Sequence, residues 1–218
     1  MSYLERTQRL DRLMRMGPVI PVVTIEHLDH AVPLARALVA GGVKVIEVTM
    51  RTPVAMEALA RIVSEVSVEG VIAGAGTVLS RHQAEDAVAA GAQFLVSPGA
   101  TSTLLDVILD LPVPTLPGIA TASEAMAAME RGLRRLKFFP AEAAGGVAML
   151  KALHGPFGDL AFCPTGGIDR QKAPAYLALP NVLCVGGSWL TPSSAIKAGD
   201  WHTLTDLAHE TRALAQPT

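Results

Sequence analysis

The chain has 218 residues, of which 50% are hydrophobic and 17% are charged, so a single domain can bury a sizeable core. Its 18 basic and 20 acidic residues give a formal net charge of -2 without a long run of one sign. This balance predicts neither a nucleic-acid partner nor an anionic membrane partner, and it favours a small-molecule ligand.

The N-terminal segment and the cysteines predict a cytoplasmic protein. Residues 2–16 carry charges at helical intervals, and no later run approaches the roughly 18 apolar residues of a membrane span. Cys163 and Cys184 lie in separate apolar runs without CxxC spacing, which predicts buried thiols in a reducing compartment. His27 and His30 have no third ligand nearby in the sequence, so we expect no metal site.

Eight apolar segments rich in Val, Ile and Leu alternate with stretches of helical periodicity. The segments cover residues 18–24, 43–50, 71–78, 93–99, 113–119, 135–142, 160–168 and 182–190. The alternation is typical of parallel βα units. It predicts an α/β fold, a single-domain (β/α)8 TIM barrel over residues 1–218, with an extra N-terminal helix over about 2–16 across one end.

The alternative architecture is an open, doubly wound sheet. Such sheets usually carry a GxGxxG turn after the first strand, whereas here the first strand runs into VVTIEHLD without a glycine. The sequence GAGTV at 74–78 lacks the last glycine of that motif and follows the third strand. The barrel is therefore favoured, and no nucleotide cofactor is expected.

Polar residues collect where the second predicted strand ends, and barrel enzymes carry their chemistry at such ends. Glu47, Thr49 and Arg51 share one parity, so strand alternation directs them to one face. Glu47 is either a general acid/base or a structural ion-pair partner. The planar guanidinium of Arg51 suits a substrate carboxylate, although a surface salt bridge is the ordinary alternative.

Lys137 is the one lysine of five that lies inside an apolar strand segment, RLKFFPAE. Its amine is expected to be partly desolvated between Leu136 and Phe138. Burial disfavours the ammonium form, and only a neutral amine attacks a carbonyl. The position of Lys137 therefore predicts that it is a Schiff-base nucleophile. Alternatively, its side chain reaches solvent or pairs with a carboxylate.

Two glycine-rich turns end the seventh and eighth strand segments, PTGGI at 164–168 and VGGSWL at 185–190. Loops at these two strand ends commonly bind phosphate in barrels through their backbone amides. The alternative is that the glycines only make tight βα turns.

The motifs together resemble a known family. In chain order they are EVTMRT (47–52), GAGTV (74–78), SPG (97–99), KFFPAE (137–142), PTGGI (164–168) and GGSWL (186–190). From about Gly17 to Asp200 the chain closely resembles the 2-keto-3-deoxy-6-phosphogluconate (KDPG) and 2-keto-4-hydroxyglutarate (KHG) aldolases. The combination of KFFPAE with PTGGI and GGSWL is far more specific than any single motif.

The resemblance implies a role for each matched residue. Lys137 matches the Schiff-base lysine and Glu47 the general acid/base. The substrate-binding matches are Arg51, Thr77, Pro98, Phe139 and Thr165, and the phosphate-binding matches are Gly166, Gly167, Gly186, Gly187 and Ser188. Thr165 implies a preference for the gluconate-type substrate over its galactonate epimer.

The resemblance also implies an activity. It is that of a class I aldolase, a carbon-carbon lyase that reversibly cleaves KDPG to pyruvate and D-glyceraldehyde 3-phosphate, without a metal or a cofactor. Some family members also cleave KHG to pyruvate and glyoxylate. The expected partners are the phosphorylated keto acid and pyruvate, the expected assembly is a homotrimer, and the expected pathway is Entner-Doudoroff catabolism.

Three other classes stay open. They are a phosphate-binding barrel isomerase or synthase, a non-catalytic sugar-phosphate-binding barrel, and a metal-dependent aldolase. Pyruvate and borohydride would not modify Lys137 in the isomerase, the binding protein would have no turnover to lose, and EDTA would inactivate the metal-dependent enzyme.

Overall fold

The computed structural model describes residues 1–67 and 70–214, in which helices alternate with parallel strands. The strands are β1 Val19–Val23, β2 Val45–Thr49, β3 Ile72–Gly76, β4 Leu95–Val96, β5 Thr115–Leu116, β6 Gly118–Ile119, β7 Arg135–Phe138, β8 Ala161–Pro164 and β9 Val185–Gly187. The helices are α1 Tyr3–Met14, α2 Ala31–Ala40, α3 Ala55–Glu65, α4 Arg81–Ala89, α5 Ser102–Asp110, α6 Ala122–Glu130, α7 Gly146–His154, α8 Ala173–Leu177, α9 Ser193–Ala198 and α10 Trp201–Glu210. None of the helices in these ranges has the length and apolar content to cross a membrane.

The strands form a curled six-stranded parallel sheet, in the order β5-β4-β3-β2-β1-β9, and a three-stranded sheet, β6-β7-β8. Each of the eight predicted segments contains a strand, and segment 113–119 contains two, β5 and β6, separated by Pro117. Proline has no N–H for a ladder, although the Pro117 carbonyl still accepts a hydrogen bond from the Lys137 amide at 2.9 Å. At the other edges, parallel bridges join Thr165 to Gly186 and Phe162 to Val182.

Strand side chains alternate between two hydrophobic layers. One layer joins the strands to the helices and includes Ile46 and Phe162, and the other includes their strand neighbours Val45 and Cys163. Parallel strands buried on both faces require such continuous apolar sequence. This explains why the strand segments read as runs of Val, Ile and Leu.

Helix α1 confirms the predicted N-terminal helix, with Ser2 as a capping-box residue. Its buried residues Leu10, Leu13 and Met14 pack in the second layer, beside residues from the strand starts. Arg135 at the start of β7 forms a bidentate ion pair with Asp11, in which Nε lies 2.5 Å from Oδ1 and Nη2 lies 3.0 Å from Oδ2. Helix α1 therefore covers the end of the sheets where strands begin, away from the strand ends that carry Glu47 and Lys137.

Arg6 connects α1 to the end of α5 and is only 4% exposed. Its guanidinium donates to the carbonyls of Ile108 at 2.9 Å and Leu111 at 3.0 Å, and also to the carbonyl of Leu109. The last carbonyls of a helix lack intrahelical donors, so Arg6 supplies them from another helix. Loss of hydration lowers the pKa of Arg6, with Asp110 opposing that shift.

Replacing Arg6 with Met should lower the free energy of unfolding by about 2 to 4 kcal/mol, because buried carbonyls lose their donors. Urea unfolding followed by circular dichroism measures this change. Arg12→Met, at an exposed position of the same helix, should stay within about 0.5 kcal/mol of the wild type. Equal losses in the two variants would contradict the capping role of Arg6.

Candidate active site

Glu47 and Lys137 form a buried ion pair between the two sheets. The Nζ of Lys137 on β7 lies 3.2 Å from Oε1 of Glu47 on β2, and each side chain is 4% exposed. β2 and β7 belong to different sheets, so the pair connects the two sheets. A carboxylate at this distance can take a proton from the ammonium group and leave the neutral amine that reacts with carbonyls.

Gly76 provides the space for the Glu47 carboxylate. It pairs in register with Thr49 on β2, and a Cβ at Gly76 would lie 2.1 Å from Oε1 of Glu47. Any larger residue would collide with the carboxylate or displace it. The sequence alone does not reveal this role, because the contact depends on a neighbouring strand.

Arg51 and Thr77 meet where β2 and β3 end. Thr77 follows Gly76 and has a φ of 58°, a left-handed conformation that is rare for a β-branched residue and costs about 1 to 3 kcal/mol. In this turn its Oγ1 accepts a hydrogen bond from Nε of Arg51 at 3.1 Å. Within the described chain no acceptor binds the two η nitrogens of exposed Arg51, so they can bind a carboxylate.

Phe139 contacts the Lys137 amine, and Pro98 packs against the strand that neighbours Lys137. The Lys137 Nζ is 5.4 Å from the centre of the Phe139 ring, a distance that permits a cation–π contact. Lys137 pairs in register with Gly118 on β6, and a Cβ at Gly118 would lie 2.2 Å from the Pro98 carbonyl oxygen. Phe139 therefore borders the amine, and Pro98 lies against the neighbouring strand β6.

Thr165 is 6% exposed and packs directly against β9. A Cβ at Gly186 would lie 2.2 Å from Oγ1 of Thr165, and one at Gly187 would lie 2.1 Å from the Trp189 ring. The two glycines of VGGSWL thus make room for a hydroxyl and an indole. This packing requirement is separate from the phosphate role predicted for them.

The turn after β8 contains two consecutive left-handed glycines. Gly166 has a φ of 104° and Gly167 a φ of 78°, so this pair does form a tight turn after the strand. In the described structure, the amides of Gly166, Gly167 and Ser188 donate to no protein acceptor. Such amides can bind a phosphate oxygen, so the turn geometry and the phosphate prediction are compatible.

Thr24, Thr49 and Ser97 add hydroxyl groups to this set, and of these Thr24 carries no signal in the sequence. Thr49 is fully buried; its Oγ1 donates to the Val23 carbonyl at 2.9 Å and lies 3.0 Å from Oγ1 of Thr24. The hydroxyl of Ser97 accepts a hydrogen bond from the Gly118 amide at 3.4 Å. Only the SPG motif provides a sequence signal for Ser97. Together the hydroxyls fix the neighbouring strand ends.

Cys163 and Cys184 are free and buried, as predicted, in the layer adjoining the ion pair. The hydrogen bond that the Cys184 thiol donates to Cys163, together with burial, raises the pKa of Cys184 well above its ordinary value, which keeps this thiol protonated. Residues 1–67 and 70–214 contain no group of three His, Cys, Asp or Glu side chains that could hold a metal ion.

Two cavities differ in their relation to this site. One of about 280 Å³ is lined by Val22, Thr24 and Ser188, and Val22 pairs in register with Glu47. A larger one of about 510 Å³ opens at the strand starts, where it is lined by Arg15, Lys44 and Val45, and its lining includes neither Glu47 nor Lys137. The smaller cavity is the one that adjoins the candidate active site.

Comparison with known proteins agrees with the geometry. The sequence model described as "KDPG and KHG aldolase" matches residues 10–207. This chain belongs to the KDPG and KHG aldolase family. The resemblance expected from the sequence motifs is thereby confirmed, and the family match includes both partners of the buried ion pair.

Relatives of the family cover nearly the whole chain. The 2-dehydro-3-deoxy-phosphogluconate aldolase of Dickeya dadantii is 52% identical over 92% of this chain and 93% of its own. The KHG/KDPG aldolase of Escherichia coli K12 is 51% identical with the same two coverages. The KDPG aldolase of Legionella pneumophila, with pyruvate captured at low pH as a covalent carbinolamine, has 47% identity and a TM-score of 0.90 over 93% of this chain and 97% of that one.

Gly76→Ala should disturb the buried pair without removing a reactive group. The added methyl would displace the Glu47 carboxylate, so we expect a loss of stability of about 1 to 3 kcal/mol and at least about tenfold slower trapping of pyruvate on the protein by borohydride. Thermal unfolding and intact mass measure the two effects.

The matched control is Gly158→Ala, because nothing lies within 4 Å of the added Cβ there. It should match the wild type in both measurements. Undiminished trapping in Gly76→Ala would show that the carboxylate position tolerates the methyl group.

Proposed function

We propose that this family member is a class I, Schiff-base aldolase that reversibly cleaves KDPG to pyruvate and D-glyceraldehyde 3-phosphate. The observation that carries the proposal is the Lys137 amine, buried 3.2 Å from the Glu47 carboxylate. The carbinolamine that pyruvate forms in the Legionella pneumophila relative supports the same chemistry here. Lys137 and Glu47 are then the catalytic residues.

The first half of the reaction builds the imine. Glu47 takes a proton from Lys137, and the neutral amine adds to the C2 ketone of KDPG. Glu47 then returns a proton to the carbinolamine hydroxyl, which leaves as water. The product is an iminium ion on Nζ, whose positive charge lies beside the Glu47 carboxylate.

Orientation of the keto acid is assigned to Arg51 and Thr77. The free η nitrogens of Arg51 suit a planar carboxylate, and the Thr77 hydroxyl lies 3.1 Å from Nε of the same guanidinium. Binding the C1 carboxylate there would present C2 to the amine from a fixed direction. Phe139 and Pro98 would provide the apolar walls around the reacting carbons.

The second half breaks the carbon-carbon bond. Glu47, directly or through water, removes the proton of the C4 hydroxyl; the C3–C4 electrons move toward the iminium, and glyceraldehyde 3-phosphate leaves. The enamine that remains on Lys137 is protonated at C3. Water then hydrolyses the imine, which releases pyruvate and restores the amine.

Residues at the ends of β8 and β9 would recognise the C4 configuration and the phosphate of the substrate. The buried Thr165 hydroxyl is the group proposed to contact a substrate hydroxyl and to favour the gluconate epimer. The phosphate would bind to the turn that contains Gly166 and Gly167 and to the turn of Gly186, Gly187 and Ser188. Amides of these turns without protein acceptors support that assignment.

A second activity is cleavage of KHG to pyruvate and glyoxylate. The match to a family described by both substrates favours it, as does 51% identity to an Escherichia coli enzyme named for both. KHG shares the 2-keto-4-hydroxy acid that the proposed chemistry requires. It lacks the phosphate, so the glycine-rich turns would contribute less to its binding.

We further propose that the two sheets form one closed eight-stranded barrel within a single domain over residues 1–218. β5 and β6 then count as one strand interrupted at Pro117, and the bridges between Thr165 and Gly186 and between Phe162 and Val182 close the ring. The contact of Lys137 with Glu47 across the enclosed space supports closure.

A homotrimer, a cytoplasmic location and a role in Entner-Doudoroff catabolism complete the proposal. They rest on the family resemblance. Light scattering coupled to size-exclusion chromatography would test the assembly, since a trimer of 22.8 kDa chains is easily separated from a monomer.

The decisive measurement is peptide mass spectrometry after incubation with pyruvate and borohydride. Reduction of the imine should leave a pyruvate-derived adduct on the peptide that contains Lys137, and Lys137→Met should abolish it. Lys151→Met, on the exposed side of α7, should be labelled like the wild type. Labelling spread over surface lysines would contradict the assignment.

Glu47→Gln tests the proton transfers separately. We expect kcat for KDPG cleavage to fall by about 10² to 10⁴, because the amide cannot accept or return protons. A coupled assay that reduces pyruvate measures the rate. An unchanged kcat would assign the acid/base role to another group.

A further inference from the structure

Glu142, at the end of the KFFPAE motif, makes contacts that the proposed chemistry does not use. Its Oε1 accepts a hydrogen bond from the Tyr176 hydroxyl, and its Oε2 lies 3.1 Å from the Lys172 ammonium. Glu142 is five residues beyond Lys137, whereas Lys172 is the N-cap of α8 and Tyr176 lies within that helix. One carboxylate thus joins the segment after β7 to the segment after β8.

The same segment is tied to the Gly166–Gly167 turn through the backbone. The Glu142 amide donates to the Gly166 carbonyl at 3.1 Å, and Lys172 Nζ donates to the Gly167 carbonyl at 2.8 Å. A Cβ at Gly167 would lie 2.7 Å from Cγ of Glu142, so the turn packs directly on this side chain. The carbonyls of both glycines are held, and their amides point to no protein acceptor.

The electrostatics keep this carboxylate charged. Hydrogen bonds from Tyr176 and then Lys172 lower the pKa of Glu142, and burial followed by the bond to Glu142 raises the pKa of Tyr176. Lys172 also lies 3.9 Å from Asp169, so a single ammonium group faces two carboxylates beside the turn. Without it, two negative charges would oppose a phosphate dianion nearby.

We propose that Glu142, Tyr176 and Lys172 form a clamp that positions the Gly166 and Gly167 amides for the substrate phosphate, and so determines preference for phosphorylated keto acids. The inference rests on the proposed function and names positioning residues within it. The clamp acts through the turn and touches neither the Lys137 amine nor the keto acid.

The location of the clamp predicts which kinetic constants change when the clamp is weakened. The phosphate keeps its charge from the bound substrate through bond cleavage, so its binding energy is uniform, and weakening it raises KM without lowering kcat. Imine formation from pyruvate needs no phosphate site. A clamp variant should therefore bind KDPG poorly and still react with pyruvate like the wild type.

The experiment compares Glu142→Gln, Tyr176→Phe and Lys172→Met with the wild type. We expect KM for KDPG to rise by about tenfold or more in Glu142→Gln and Lys172→Met, and by less in Tyr176→Phe, with kcat within about twofold in all three. The pyruvate concentration that gives half-maximal borohydride trapping should stay within about twofold. Lys151→Met, which removes a lysine outside the network, should match the wild type in every measurement.

Two additional readouts separate positioning from general damage. The ratio of the KM of Lys172→Met to the KM of the wild type should fall as salt rises from 20 to 500 mM. The variant leaves two partly solvated carboxylates without their ammonium partner, and salt screens their repulsion of the phosphate. The screening length falls from about 20 Å to about 4 Å over that range. The double variant Glu142→Gln/Tyr176→Phe should raise KM no more than Glu142→Gln alone, because Tyr176 acts through Glu142.

The outcomes distinguish the clamp from the proposed function. A wild type that does not cleave KDPG overturns the proposed function. A wild type that cleaves KDPG, with variants that leave KM unchanged or weaken pyruvate trapping and KDPG binding in parallel, overturns the clamp alone. A selective rise in KM for KDPG supports both.

Discussion

The ion pair of Lys137 with Glu47 sets the conditions for the rest of the molecule. Two opposite charges lie 3.2 Å apart in a space from which water is largely excluded, and removing either partner from such a pair commonly costs about 3 to 5 kcal/mol. The surrounding strands must therefore hold both groups at one separation. Schiff-base chemistry needs the same arrangement, because the amine has to give up its proton before it reacts.

Small residues around the pair make this arrangement possible. Gly76 leaves space for the Glu47 carboxylate, and Gly186 leaves space for the Thr165 hydroxyl. In both cases a glycine on one strand accommodates a functional side chain on the neighbouring strand. At these two positions the neighbouring strand therefore leaves no space for even one added methyl group.

Several features of this fold could be predicted from the sequence, because they depend on local order. The eight apolar segments predicted the strands, the polar end of the second drew attention to Glu47, and the single lysine inside an apolar strand segment drew attention to Lys137. The family motifs then assigned roles that alternation alone left open. Conversely, the split of segment 113–119 at Pro117 was not predicted, because an interrupted strand and a continuous one read alike in hydrophobicity.

Other features of the fold and of the site depend on contacts between residues far apart in the chain. Arg6 reaches carbonyls about a hundred residues away, and Glu142 meets Tyr176 across the turn after β8. The charge and hydrophobicity of a short stretch of sequence carry no information about such pairs. Glu142 and Tyr176 each look like ordinary residues at the edge of a helix until the two strand ends are brought together.

The location of α1 has a consequence for protein engineering. Arg6 binds carbonyls at the end of α5, whereas Asp11 binds Arg135, two residues before Lys137 on β7. Substitutions at well-separated positions that share no contacts usually combine additively. Stabilising substitutions around Arg6 could thus be selected in a library of their own and merged with variants of altered substrate range, whereas substitutions at Asp11 have to be selected together with those near Lys137.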